Sequence, residues 1–153
     1  MRKLLFRWLI LATVFVLWYP AAALGSTAKT GPPTGTNMPG GEGMGIESLL
    51  YLRDGYCWIS SPEAGKVTIY GKTSASQAVE RILLRLTLQK WNGSAWGDLA
   101  SWQFEDFYVS SVSGSKTVQV SSGYYYRVKG FHQVMENGTS ESANSFSGYI
   151  LVD

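Results

Sequence analysis

The chain has one cysteine, Cys57, and one histidine, His132. A lone cysteine closes no internal disulfide, so folding rests on packing. Cys57 and His132 do not make a zinc site without further ligands. No Ser-His-Asp arrangement is suggested beyond the presence of those residue types. Charge is also scarce, with Asp, Glu, Lys and Arg making up 16% of the chain. Glu105 and Asp106 are adjacent, so on a strand they diverge to opposite faces and do not form the paired carboxylates of a glycosidase. No Gly-Lys-Ser/Thr stands at phosphate-loop spacing after the glycines before residue 46, which excludes a phosphate loop there. The expectation is a protein that is not an enzyme and takes no cofactor and no metal. A hydrolase built from carboxylates that meet only in space stays open.

Cys57 sits between Tyr56 and Trp58. One reading is a small buried apolar side chain. A second is a disulfide between two chains. A third, a catalytic thiol, needs a base nearby. His132 shares its parity with Tyr126 and Val128, which reads as a partly buried structural residue rather than a base.

What the chain does have begins with an export signal. Arg2, Lys3 and Arg7 precede the apolar run Leu9 to Trp18. That run is short of the about 20 residues a span needs. Ala21-Ala22-Ala23 offers small residues at cleavage spacing, and Gly25-Ser26 a second site. Residues 1–25 therefore read as a secretory signal peptide, with an uncleaved anchor as the competing reading. No cysteine stands near the cleavage site, so a lipid anchor has no support. Cleavage removes three basic residues, so 13 Lys and Arg become 10 against 11 Asp and Glu. A nearly neutral mature chain offers no electrostatic case for nucleic acid or an anionic membrane. Residues 26–48 are rich in Gly, Pro and Thr and read as a flexible linker. Residues 49–153 are then a single domain, and about 100 residues bury an adequate core unaided.

The centre of that domain is the stretch from Arg81 to Tyr108, which reads as a long β-hairpin. Ile82, Leu84, Leu86 and Leu88 share one parity, and Arg81, Arg85, Thr87 and Gln89 the other. Asn92-Gly93 marks the tip. An even loop would set Leu84 and Leu86 against the polar side of the returning strand. An odd loop or a bulge near Asn92–Trp96 puts them beside Trp102 and Phe104, and this is the predicted register. A helix competes, because Val79, Ile82, Leu83 and Leu86 have helical spacing.

Alternating segments flank the hairpin: Gly55 to Ser60, Lys66 to Tyr70, Lys116 to Val120, Tyr124 to His132 and Ser140 to Val152. Gly71 to Ala78 reads as loosely extended, and Ser110 to Ser115 as a loop. The sum is all-β, a single antiparallel β-sandwich of about seven strands.

Leu84 to Ser145 resembles the second half of a fibronectin type III or immunoglobulin-like domain. The hairpin ending in Trp96 to Leu99 is similar to that fold's third and fourth strands. Val118-x-Val120, then Ser-Ser-Gly-Tyr124-x-Tyr126-x-Val128-x-Gly130, is similar to its fifth strand, turn and sixth strand. Asn137 to Ser142 resembles its closing hairpin. The resemblance implies that Tyr124 or Tyr126 bonds a nearby backbone group at the corner. With the export signal, Leu88 to Trp96 and Gly123 to Gly130 resemble a group of small secreted proteins of Gram-positive bacteria that has no established function.

Aromatic residues are the remaining signal, at 14% of the chain. Trp102 and Tyr126 have core parity. Trp91, Tyr70, Tyr125 and Phe131 point outward by parity and are the candidate ligand-binding residues. Exposed rings stack on sugars or anchor a protein partner. The expected function is a secreted, monomeric binding module, extracellular or associated with the cell wall, contacting a polysaccharide or a surface protein. The alternative is a structural or interaction protein acting through sheet edges or a Cys57-linked dimer.

Overall fold

The computed structural model describes residues 28–33 and 49–153. Residues 1–25, read as a signal peptide, and most of residues 26–48, read as a linker, lie outside the described residues. Eight strands run β1 (Leu52–Glu63), β2 (Lys66–Val79), β3 (Arg81–Trp91), β4 (Trp96–Asp106), β5 (Val109–Gln119), β6 (Tyr124–Glu136), β7 (Thr139–Phe146) and β8 (Ile150–Val152). Among the described residues there is no helix. The strands form two antiparallel sheets, one of three strands in the order β1-β2-β5 and one of five in the order β4-β3-β6-β7 with β8 also on β6. Their apolar faces meet, which makes the chain a β-sandwich.

The central hairpin has the predicted register. Leu84 pairs with Phe104 and Leu86 with Trp102. The loop itself is even, with Trp91 opposite Trp96, and the extra residue is Leu99, skipped between the pairs Leu88–Ala100 and Gln89–Asp98. The bulge therefore lies in β4 beyond the tip. The tip is held by Asn92, whose Oδ1 accepts from the backbone of Ser94 at 2.9 Å and of Ala95 at 2.8 Å.

Three expectations are corrected. The expected single strand from Ser140 to Val152 is broken around Ser147, so the count is eight rather than seven. Ser147 Oγ accepts from Val128 N at 2.8 Å, taking the place of a ladder bond where the edge bulges away. The stretch 110–115, read as a loop, is the first half of β5. Its serines carry no strand pattern; pairing with the polar half of β2 orders them. For the same reason 71–78 is strand, with a register shift after Ser74. The helical spacing at 79–86 is an accident of β3 being buried on both faces: Leu83 on the outer side is as covered as Leu84 on the inner.

The core has two apolar clusters. Ile69, Leu84, Leu86, Tyr126 and Val128 belong to the larger, and Leu52, Val79, Ile82 and Val134 to the smaller. A belt of buried polar side chains, Thr73, His132 and Ser145, is built into the same interior. Of the stretch read as linker, residues 28–33 lie against the domain: Lys29 N donates to Gly123 O at 2.6 Å, and its ammonium stands 5.1 Å from the Tyr124 ring centre.

Candidate functional site

The aromatic residues divide between two outward faces. On the larger sheet, side chains of β4 and β6 tile over the centre of β3. Arg81 donates twice to Glu105, at 3.0 and 2.8 Å. Gln103 accepts from Arg85 at 3.1 Å and donates to Glu105 at 3.0 Å. Arg127 Nε donates to Gln89 Oε1, and Gln89 Nε2 to Asp98, both at 2.7 Å. The Arg127 guanidinium also lies 4.4 Å over Trp96 and 4.8 Å over Phe146. This face is occupied by its own contacts.

Three of the four predicted site residues sit in that layer. Trp91 has outward parity yet is only 6% exposed, because Trp96 directly opposite packs on it at 5.4 Å. Its indole N–H is buried without a partner. Tyr125 meets Tyr149 edge-on at 5.5 Å, and Phe131 lies under the Arg85 guanidinium at 5.5 Å. Parity reports which face a side chain leaves from; burial depends on what its neighbours lay over it. Trp91 is therefore corrected from an exposed ring to a packed one.

Tyr70 is on the other sheet, and it has company that the sequence reading missed. The outward residues of β1, β2 and β5 form cross-strand rows. Trp58 pairs with Tyr70 and Tyr70 with Ser115; Tyr56 pairs with Lys72 and Lys72 with Ser113; Ser60 pairs with Thr68 and Thr68 with Thr117. The Tyr70 ring lies 5.7 Å from Trp58 and 6.0 Å from Tyr56, with interplanar angles of 32° and 41°. Trp58 is 40% exposed, more than any other tryptophan of the domain. The result is a shallow platform of three rings beside a file of serine and threonine hydroxyls. The available signal was the parity of Tyr56 and Trp58 about the inward Cys57, carried across the Ser61–Gly65 turn onto Tyr70.

One row further, the platform gives way to a depression of about 340 Å³ lined by Arg53, Asp54, Lys72, Ser74, Ser110 and Ser111. Arg53 is the extra residue of a bulge, since Leu52 pairs with Ala75 and Asp54 with Ser74.

The residues that look reactive are elsewhere. Thr73 Oγ1 is 2.8 Å from His132 Nδ1, and His132 Nε2 is 2.8 Å from Ser145 Oγ. Ser145 Oγ donates to Cys57 Sγ at 3.3 Å, and Cys57 to Val128 O at 3.5 Å. Thr73 Oγ1 also donates to Leu83 O at 3.2 Å, so the hydroxyls of Thr73 and Ser145 each stand between the imidazole and a second acceptor. Burial holds the imidazole down at about 4, against the pull of Asp54, and pushes the Cys57 thiol up. Cys57 and His132 are both fully covered. A thiol so placed reaches neither a substrate nor a second chain, which removes the geometric basis of a Cys57-linked dimer. Among the described residues, no three His, Cys, Asp or Glu side chains converge as a metal site requires.

Fold and surface together define a class: a two-sheet antiparallel β-domain with side-chain hydrogen bonds and arginine–ring contacts on one outer face, and the exposed Trp58 beside the half-buried Tyr56 and Tyr70 on the other. A family model matches residues 39–148, and the chain belongs to that family, DUF6147, a family of unknown function. The match takes in β1 to β7. No curated protein matches the chain.

Proposed function

We propose that this protein is a secreted, non-catalytic module that binds polysaccharide on the outer face of its three-stranded sheet, at the cell surface or wall. The observation that carries this reading is the Tyr56–Tyr70–Trp58 platform. The C–H faces of a sugar ring stack on aromatic rings, and adjoining hydroxyls receive its polar edge. The leader-like residues 1–25 support export. The burial of Thr73, His132, Ser145 and Cys57 supports a non-catalytic role, because the lone thiol and the lone imidazole are fully covered.

A fibronectin type III or immunoglobulin-like ancestry is part of the same proposal. The β3–β4 hairpin followed by β5 and β6 supports it. Tyr126 donates its hydroxyl to Ser121 O at 2.8 Å, five residues upstream, as the corner tyrosine of such domains does. Action through sheet edges is less favoured: the Leu99 bulge interrupts β4, and Glu141 accepts the N–H groups of Leu50, Tyr51 and Leu52 at the start of β1.

The test is retention on insoluble peptidoglycan, chitin and cellulose. Trp58→Ala is expected to weaken retention by about tenfold, the cost of one anchor ring, with an unchanged Tm. Trp91→Ala is expected to lower Tm. No retention on any polymer, or retention indifferent to Trp58→Ala, ends the proposal.

A further inference from the structure

The platform by itself is indifferent to the charge of a glycan; the depression beside it is not. Two of its lining side chains are cationic, Arg53 and Lys72, and one is a carboxylate, Asp54. Among the described residues the ion pairs are Lys66–Glu63 and Arg81–Glu105, so none of these three charges is paired. The contrast with the larger sheet is physical: there Arg85 and Arg127 lie over rings and donate to glutamines. Here the cations are left facing solvent beside Ser74, Ser110 and Ser111.

The backbone places them there. A bulge adds one residue to β1 at Arg53, and such irregularities re-aim side chains at functional sites. The β2–β5 pairing also shifts between Ser74 and Val79, next to the lining residue Ser74. Lys72 belongs to both features, because it pairs with the platform residue Tyr56 and lines the depression. A chain lying on the rings therefore runs on toward the cations.

We infer that the ligand is a polyuronide, an acidic polysaccharide whose sugar ring stacks on Trp58 and Tyr70 while a neighbouring carboxylate enters the depression between Arg53 and Lys72. A guanidinium receives a carboxylate in a bidentate fork, and an ammonium adds a point charge. Asp54 in the same depression favours a monoanionic carboxylate over a phosphomonoester dianion, which it would repel more strongly. The inference rests on the platform proposed above and adds the charge of its ligand.

The test pairs polygalacturonate and alginate with their fully esterified, uncharged forms, measured by affinity electrophoresis of the whole purified chain at low and at high salt. The acidic form is expected to bind about tenfold more tightly than its ester at low salt. That preference is expected to vanish at high salt, and in Arg53→Gln and Lys72→Met with Tm unchanged. Trp58→Ala is expected to weaken both forms. Equal binding of acid and ester, both lost in Trp58→Ala, would overturn the inference and leave the platform standing. Acid binding untouched by Trp58→Ala would also overturn it, as polyanion adsorption without the rings. No binding to any acidic or neutral glycan would remove the platform and the inference together, leaving the face to a protein partner.

Discussion

His132 lies between two hydroxyls with no access to water, and a glycine stands over it: a side chain at Gly55 would collide with the imidazole ring. That enclosure makes the residue a titration point for folding. Its ordinary value of 6.5 falls to about 4 in the folded chain, because burial disfavours the imidazolium more than Asp54 favours it. Below about pH 6.5 the unfolded chain takes up a proton that the folded one refuses, so stability rises with pH across this window. The contribution is complete above about 6.5 and is lost as pH falls toward 4, amounting to about 3 kcal/mol. Urea unfolding at a series of pH values is expected to show this slope. His132→Gln, whose amide still spans Thr73 and Ser145, is expected to flatten it. Carboxylates act lower down: bonds from Arg81 hold Glu105 below its ordinary 4.5, and three backbone N–H groups outweigh burial to lower Glu141. The parity of His132 with Tyr126 and Val128 was legible in the sequence. Its partners were not, since Thr73 lies 59 residues away in the chain.

At the scale of elements, β5 shows how a strand with little pattern of its own is specified by what packs against it. Opposite the buried Gly71 and Ile69 it places Gly114 and the exposed Lys116. The Phe104 ring of β4 occupies the space that a side chain at Gly114 would need. Gly114→Ala is therefore expected to destabilise by about 1–3 kcal/mol through overpacking. In a Phe104→Ala background the same change is expected to cost far less, a coupling that a double-mutant cycle by thermal unfolding measures. Additivity of the two changes would refute the contact. The central hairpin is the opposite case. Its alternating leucines dictated the pairing of Leu84 with Phe104 before any neighbour was known, because a slip of one residue would set them against the polar side of the returning strand. Only the place of the bulge escaped, since Leu99, 52% exposed, leaves no mark in the pattern.

The whole molecule buries Cys57 between its sheets, which turns the lone thiol into a reporter of global unfolding. Its labelling by a thiol reagent is expected to be slow in the native protein and to rise in urea with the same midpoint as tryptophan emission. Fast native labelling would place Sγ within reach of solvent and reopen the disulfide-linked dimer. The sequence alone determined the all-β class, the hairpin register and the inward side of each patterned strand. These follow from local alternation and turn chemistry, which need no knowledge of neighbours. It also carried Tyr70 to an outer face. Only the tertiary structure decided what each ring packs on. Trp91 obeys the same parity as Tyr70 but is buried under Trp96, while Tyr125 meets Tyr149 and Phe131 meets Arg85. Trp58 and Tyr56 come to Tyr70 through pairing across strands. Exposure is a sum over neighbours in space, and a periodic pattern along one strand does not contain that sum.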